Sequence, residues 1–413
     1  MSLHLFFVPI RSIPSSKLGL PPQLTRKSDE RQMQRVEKLK GEVKAMIGDT
    51  NVNSLTILEL INDIQRLGLS HHFQKDITRA LDIILLSVIN GTNLRADQPI
   101  SVHATALCFR LCRQHGYEAS QGRKPYGRGQ SIHKQTSEGH KGKIVDKDLV
   151  EQIDHALEMP LHHRVLRLEV EARWYVEAYG KRKDANHLLL EMAKLDLNMV
   201  QSLLQGELKD MSRWDIKAVE TLPAGLHEVV DLCKAFLAEA KWCFEKATPT
   251  FKAYLENAVV SASGMLISVH AYFLLTETIT KEALECLEKK ESYHPLMECP
   301  SLIFRLYNDL ATSKAESERG ESANSIMCCM HKTGLSEEEA RKHIRKLIDE
   351  AWKKMSKERV AVDSPFEKPF IETTINVARM SECTYQNGDR HGAPDNQAKN
   401  RVLSVIIEPI PSC

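Results

Sequence analysis

Apolar residues recur at helical spacing from about residue 36 onward, and no segment alternates apolar with polar residues as a half-buried strand would. In "NSLTILELINDIQRLGL", Ser54 is the expected N-cap. Ile57, Leu58, Ile61, Ile64 and Leu67 form the stripe, and Gly68 is the expected stop. "SVHATALCFRLCRQHGY" repeats the design, with Gly116 ending it. "LSEEEARKHIRKLIDEAWKKM" opens on a capping box, Ser336 to Glu339, and carries Ala340, Ile344, Leu347, Ile348 and Ala351 along one face. Such stripes can be buried only by other helices, so the fold class is all-α, in two helical domains.

Lys and Arg number 56 against 55 Asp and Glu, so no net field favours nucleic acid or an anionic membrane. No run of 18 apolar residues occurs, so no membrane span is expected. None of the ten cysteines forms a C-x-x-C pair, and several lie in helical apolar patterns. Neither a disulfide framework nor a zinc site is expected. The doublets His71–His72 and His162–His163 would point to different faces of any helix and are not expected to bind metal. The first 28 residues contain no acid, the first being Asp29, but do contain serines and spaced Arg11, Lys17, Arg26 and Lys27. That composition reads as an organellar transit leader, with a plain unstructured terminus as the alternative.

The expected organisation is a leader over 1–35, an amino-terminal helical domain over 36–165 and a carboxy-terminal domain over 166–413. The stretch 119–148 has five glycines, one proline and many basic residues but few apolar ones. It reads as a flexible insert.

One polar pattern stands out, in "FRLYNDLATSKAESERGES" at 304–322. On a helix, Asn308, Thr312 and Glu316 share one face, with Arg305 one turn before them. A carbonyl, a hydroxyl and a carboxylate in a row suit a hard cation such as magnesium, whose further ligands are often phosphate oxygens. Arg305 has the fork geometry that holds phosphate. Spacing alone favours a solvated helix face. Two features weigh against solvation: the donors are not Glu–Lys pairs, and the preceding "PSLIFRLY" is apolar.

The words around this pattern resemble those of plant terpene synthases. "RLYNDLATSKAESERGE" looks like the second metal motif of that family, (N/D)-D-x-x-(S/T)-x-x-x-E. "LLLEMAKLDLNMVQSLLQGELKDMSRW", "DLCKAFLAEAKWCFEKATPTFKAYLENAVVSASG", "INDIQRLGLSHHF" and "RVLRLEVEARWYVEAY" resemble other stretches of the same family, best of its angiosperm monoterpene branch. The resemblance implies a class I terpenoid synthase bundle that ionises a prenyl diphosphate, geranyl diphosphate favoured, in a plastid monomer. It implies Mg²⁺, with Mn²⁺ as substitute, on Asn308, Thr312 and Glu316, and diphosphate on Arg305. Asp309 belongs to the motif without being a usual ligand. Tyr385 and Asp389 match residues at the pocket mouth, and Ser263 and Gly264 match a helix break beside the substrate. Where many relatives carry a second basic residue, this chain has Asn324.

The family's first metal motif, D-D-x-x-D, is missing, and the chain contains no Asp-Asp pair. The text jumps from "KDMSRW" to "DIKAVETLP", and again after Pro223 into "AGLHEVVDLCKAF". These are block losses, and both domains are expected to lack helices. The alternative function is therefore a catalytically inactive paralogue, or a mis-assembled gene product, acting only as a helical protein.

Overall fold

The computed structural model describes residues 27–89, 102–115, 161–164, 170–211, 226–287, 293–318, 323–361, 363–385 and 403–411, with a few single residues between. Of the expected leader over 1–35, residues before 27 lie outside the described residues, whereas 27–35 belong to a helix that begins at Lys27, so that boundary is corrected; the insert at 119–148 lies outside the described residues. The described residues are helical, with no strand among them. They fall into two compact units, residues 207–399 and residues 21–206 with 400–413.

In the amino-terminal unit, α1 (Lys27–Ile47), α2 (Ser54–Arg66), α3 (Gln74–Ile89), α4 (Val102–Gln114), α5 (Val170–Gly180) and α6 (His187–Met211) surround one core. The stripe on α2 is buried as its spacing requires, and each such side chain contributes roughly 1.5–3 kcal/mol. The N-cap is Asn53, one residue before the serine expected: its side chain accepts from Thr56 N at 2.9 Å. Gly68 takes φ 77°, and Leu69 N reaches back to Ile64 O at 2.9 Å, closing the helix end. Helix α6 contributes Leu189, Met192 and Ala193 to this core. The compact division therefore falls at 206, whereas the sequence reading placed it at 165/166. The tail also joins this unit. Asn198 donates to Ile410 O at 2.9 Å and accepts from Ile410 N at 2.8 Å.

The histidine doublet departs from expectation. His71 and His72 sit in a short 3₁₀ turn, Ser70–His72, rather than on a continuous helix. Their rings lie 3.8 Å apart, and both Nε2 atoms face Asp196 of α6.

The second unit contains α7 (Leu226–Glu245), α8 (Phe251–Ser261), α9 (Gly264–Leu275), α10 (Lys281–Leu287), α11 (Pro295–Glu318), α12 (Ser325–Thr333), α13 (Glu337–Arg359) and α14 (Lys368–Tyr385). Helix α11 is its axis, packing most extensively against α14 and α13. The expected capping box at Ser336 and Glu339 is present, and Ala340, Ile344, Ile348 and Ala351 are buried. Phe251–Leu275 is apolar and long enough to cross a membrane, but 61% of that window is buried inside the molecule. It is also two helices, broken at Ser263. On α7, Val229, Val230, Phe236, Leu237 and Phe244 are exposed, the last at 91%.

Candidate metal and anion site

The site is built on one face of α11. Ile303 and Leu306 anchor the helix in the core, which leaves the Arg305–Asn308–Thr312–Glu316 row at its margin. Thr312 is buried and donates its hydroxyl to Asn308 O at 2.9 Å and to Glu316 Oε1 at 2.5 Å. The single hydroxyl proton is shared between these two acceptors, and both lone pairs of Thr312 Oγ1 lie beside the Glu316 carboxylate. Asn308 hydrogen-bonds the Tyr385 hydroxyl, and the Tyr385 ring meets Phe304 edge-on at 5.7 Å. Burial, and then the nearby Asp389 charge, push the Tyr385 phenol up. Asp389 and Glu316 both bear on Tyr385, so the structure gathers Asn308, Glu316, Tyr385, Asp389 and Arg305 at one place.

Arg305 donates to Ser261 Oγ at 2.8 Å and to Glu239 Oε1 at 3.2 Å. Glu239 Oε1 also accepts from Ser261 Oγ at 2.6 Å and Asn257 Nδ2 at 3.4 Å. Burial of Arg305 works to lower its pKa, but Tyr254, Asp309, Glu239 and Glu316 outweigh it, and the net shift is upward. The guanidinium is therefore a permanent cation held in place from α7 and α8.

Asp309 has a different task. It is buried at 1% exposure, and its Oδ2 accepts from Tyr254 Oη and Ser325 N, each at 2.8 Å. It therefore ties α11 to α8 and to the start of α12. Burial raises its pKa against the pull of Arg305. Asn324 caps the same helix start, accepting from Met327 N at 3.0 Å. Its side chain is thus committed to the backbone.

Ser263 adopts φ 63°, the left-handed region, and starts α9 on a new course. Gly264 then abuts α11. A Cβ there would lie 2.3 Å from Ser301 Oγ and 3.1 Å from Ser301 Cα. The break lies two residues after Ser261, which touches Arg305, and Ser301 is one turn before Arg305. Glu239, Ser261 and Tyr254 were not singled out from sequence. The available signal was Glu239 alone between Ala238 and Ala240, a charge at a position where small neighbours allow close helix approach.

A row of oxygen donors with a fixed guanidinium beside it, on the axial helix of an all-α unit, has the chemistry to suit a hard cation together with an anion. The comparisons narrow that class. Residues 224–354 match the model for the terpene synthase family metal binding domain, and residues 16–123 match that for the terpene synthase N-terminal domain. A chloroplastic tricyclene synthase of Medicago truncatula is 38% identical over 92% of this chain and 88% of its own length. A chloroplastic isoprene synthase of Populus tremuloides is 36% identical over 94% of this chain and 87% of its own. The crystal structure of isoprene synthase from grey poplar, Populus x canescens, in complex with three Mg²⁺ ions and dimethylallyl-S-thiolodiphosphate, superposes with a TM-score of 0.81. It is 35% identical, with coverage of 92% of this chain and 98% of that one. The chain belongs to the terpene synthase family, whose members are lyases acting on prenyl diphosphates. The chloroplastic relatives support the plastid location expected from the leader. The alignment with the Medicago enzyme is 528 residues long, more than the 413 of this chain, so that relative carries blocks with no counterpart here.

Proposed function

We propose that the chain ionises a prenyl diphosphate, geranyl diphosphate by preference, to a monoterpene with release of diphosphate. The observation that carries the reading is the single face of α11 bearing Asn308, Thr312 and Glu316, with Arg305 one turn away. An all-oxygen donor set of mixed charge, with a carboxylate already beside a hydroxyl, fits Mg²⁺ or Mn²⁺. Bound there, the ion supplies Lewis-acid pull on the diphosphate oxygens. Arg305 offers a charged fork to the same group, and Glu239 and Ser261 hold that fork in position. Ser263 and Gly264 bring α9 against α11 and shape the wall beside the substrate. Tyr385 stays neutral at working pH and forms an aromatic edge at the mouth, with the Asp389 charge nearby.

Purified chain supplied with geranyl diphosphate and Mg²⁺ should release a volatile monoterpene, and Glu316→Ala should abolish it. Product persisting in that variant would remove the row from the mechanism. Dimethylallyl diphosphate run in parallel decides the chain-length preference.

A second reading starts from the absent Asp-Asp pair and the exposed apolar side of α7: the chain lacks the opposing wall and is silent. That reading expects no volatile from either substrate at any Mg²⁺ concentration. It expects product only once an aspartate-rich block is restored between Trp214 and Asp215.

A further inference from the structure

We propose that His71, His72 and Asp196 form a transition-metal site of the zinc class, which clasps the turn after α2 to helix α6. His72 Nε2 lies 2.8 Å from Asp196 Oδ1 and His71 Nε2 lies 3.7 Å from it. The three ligand atoms all fall within 4.8 Å of one another. Tetrahedral zinc with bonds near 2.0–2.1 Å separates adjacent ligand atoms by about 3.4 Å, inside that span.

The hydrogen bonding prepares the His71 ring, whereas His72 Nε2 donates its proton to Asp196 Oδ1 at 2.8 Å and a bound metal would take the place of that proton. His71 Nδ1 lies 3.1 Å from Gly68 O, which can only accept, so Nδ1 carries the proton and Nε2 presents its lone pair towards the Asp196 carboxylate. A ring N–H donated to a backbone carbonyl, which leaves the other nitrogen for the metal, is the outer-shell arrangement of histidine metal ligands, and His71 has it. The His72 and Asp196 side chains are each 4% exposed, so little water competes for them. Burial, ahead of the Asp196 hydrogen bond, lowers the His72 pKa to about 4, and the ring is neutral at working pH. Lys40 is the nearby cation that opposes metal entry, and Glu37 pairs with it. Two imidazoles and one carboxylate leave a fourth position for water. Imidazole with carboxylate suits Zn²⁺ rather than Mg²⁺, which separates this site from the donor row on α11.

The test uses the full chain, stripped with a chelator and titrated with Zn²⁺ against a chromophoric competitor. The wild type should bind one Zn²⁺ more than His71→Gln, which leaves the His72–Asp196 bond intact. At this site the variant's affinity should fall by more than about tenfold, the least that losing even an outer-shell partner costs. Zn²⁺ should also raise the unfolding midpoint of the wild type and not that of the variant. Equal stoichiometry and affinity in the two proteins would overturn the proposal. Co²⁺ bound to the wild type gives a reading independent of any variant. Its spectrum should be that of nitrogen and oxygen ligands, and an intense thiolate charge-transfer band would place the metal on cysteines instead and also overturn it.

Discussion

Replacing Gly264 by alanine tests how the break between α8 and α9 supports the site. The new Cβ would meet Ser301 Oγ at 2.3 Å, and Ser301 Cα and Cβ at 3.1 Å each. Rotating the serine hydroxyl removes the first clash but gives up its bond to Met297 O, which is 3.2 Å long, at a cost of about 0.5–1.5 kcal/mol. The backbone contact remains, and α9 must move from α11 by a few tenths of an ångström. Overpacking of this kind costs about 1–3 kcal/mol, and that is the expected destabilisation. Ser301→Gly removes both Oγ and Cβ, at about 1 kcal/mol for a glycine inside a helix. The double variant should then lie at least about 1 kcal/mol above the sum of the singles. Urea unfolding of the full chain, read by hydrogen exchange on peptides from α9 and α11, keeps the two units apart. Additivity within about 0.5 kcal/mol would refute the claim that the two residues set the helix spacing. Because Ser301 is one turn before Arg305, Gly264→Ala should also weaken Mg²⁺-dependent binding of inorganic diphosphate.

Glu239→Ala removes an acceptor that holds the Arg305 fork in position, so calorimetry should find weaker binding of inorganic diphosphate in Mg²⁺; unchanged or tighter binding contradicts the positioning role. Tyr254→Phe takes one of two donors from buried Asp309 and should cost about 1–3 kcal/mol in chemical denaturation, with an effect under 0.5 kcal/mol counting against it. His72 has a folded pKa near 4, below the ordinary 6.5, so folding favours its neutral form. Its contribution is complete above pH 6.5 and is lost as pH falls towards 4, up to about 3 kcal/mol in all. Denaturation midpoints across that window should flatten in His72→Gln.

The helices were legible because their stripes and caps are local. Gly68, Ser336 and Glu339 act where the sequence placed them, and Asn53 displaces Ser54 by one residue because its side chain reaches Thr56 N first. The donor row on α11 was legible for the same reason: i, i+4 and i+8 lie on one face whatever the tertiary context. What surrounds the row was not. Glu239 and Ser261 meet Arg305 from helices 66 and 44 residues away, and no spacing rule links them. The convergence of the histidine doublet on Asp196 was not legible, since the partner lies 124 residues away on another helix. The role of Asp309 was hidden too, since a carboxylate inside a metal motif gives no sign that its partners are a phenol and a helix start.

The outer side of α7 has a practical consequence. Val229, Val230, Phe236, Leu237 and Phe244 offer oil to water on one helix of the site-bearing unit, and Glu239 on that helix also holds Arg305. Self-association through that side would be read in an assay as lost turnover. Specific activity should therefore rise on dilution, and sulfate, which strengthens apolar burial, should depress it where chloride does not.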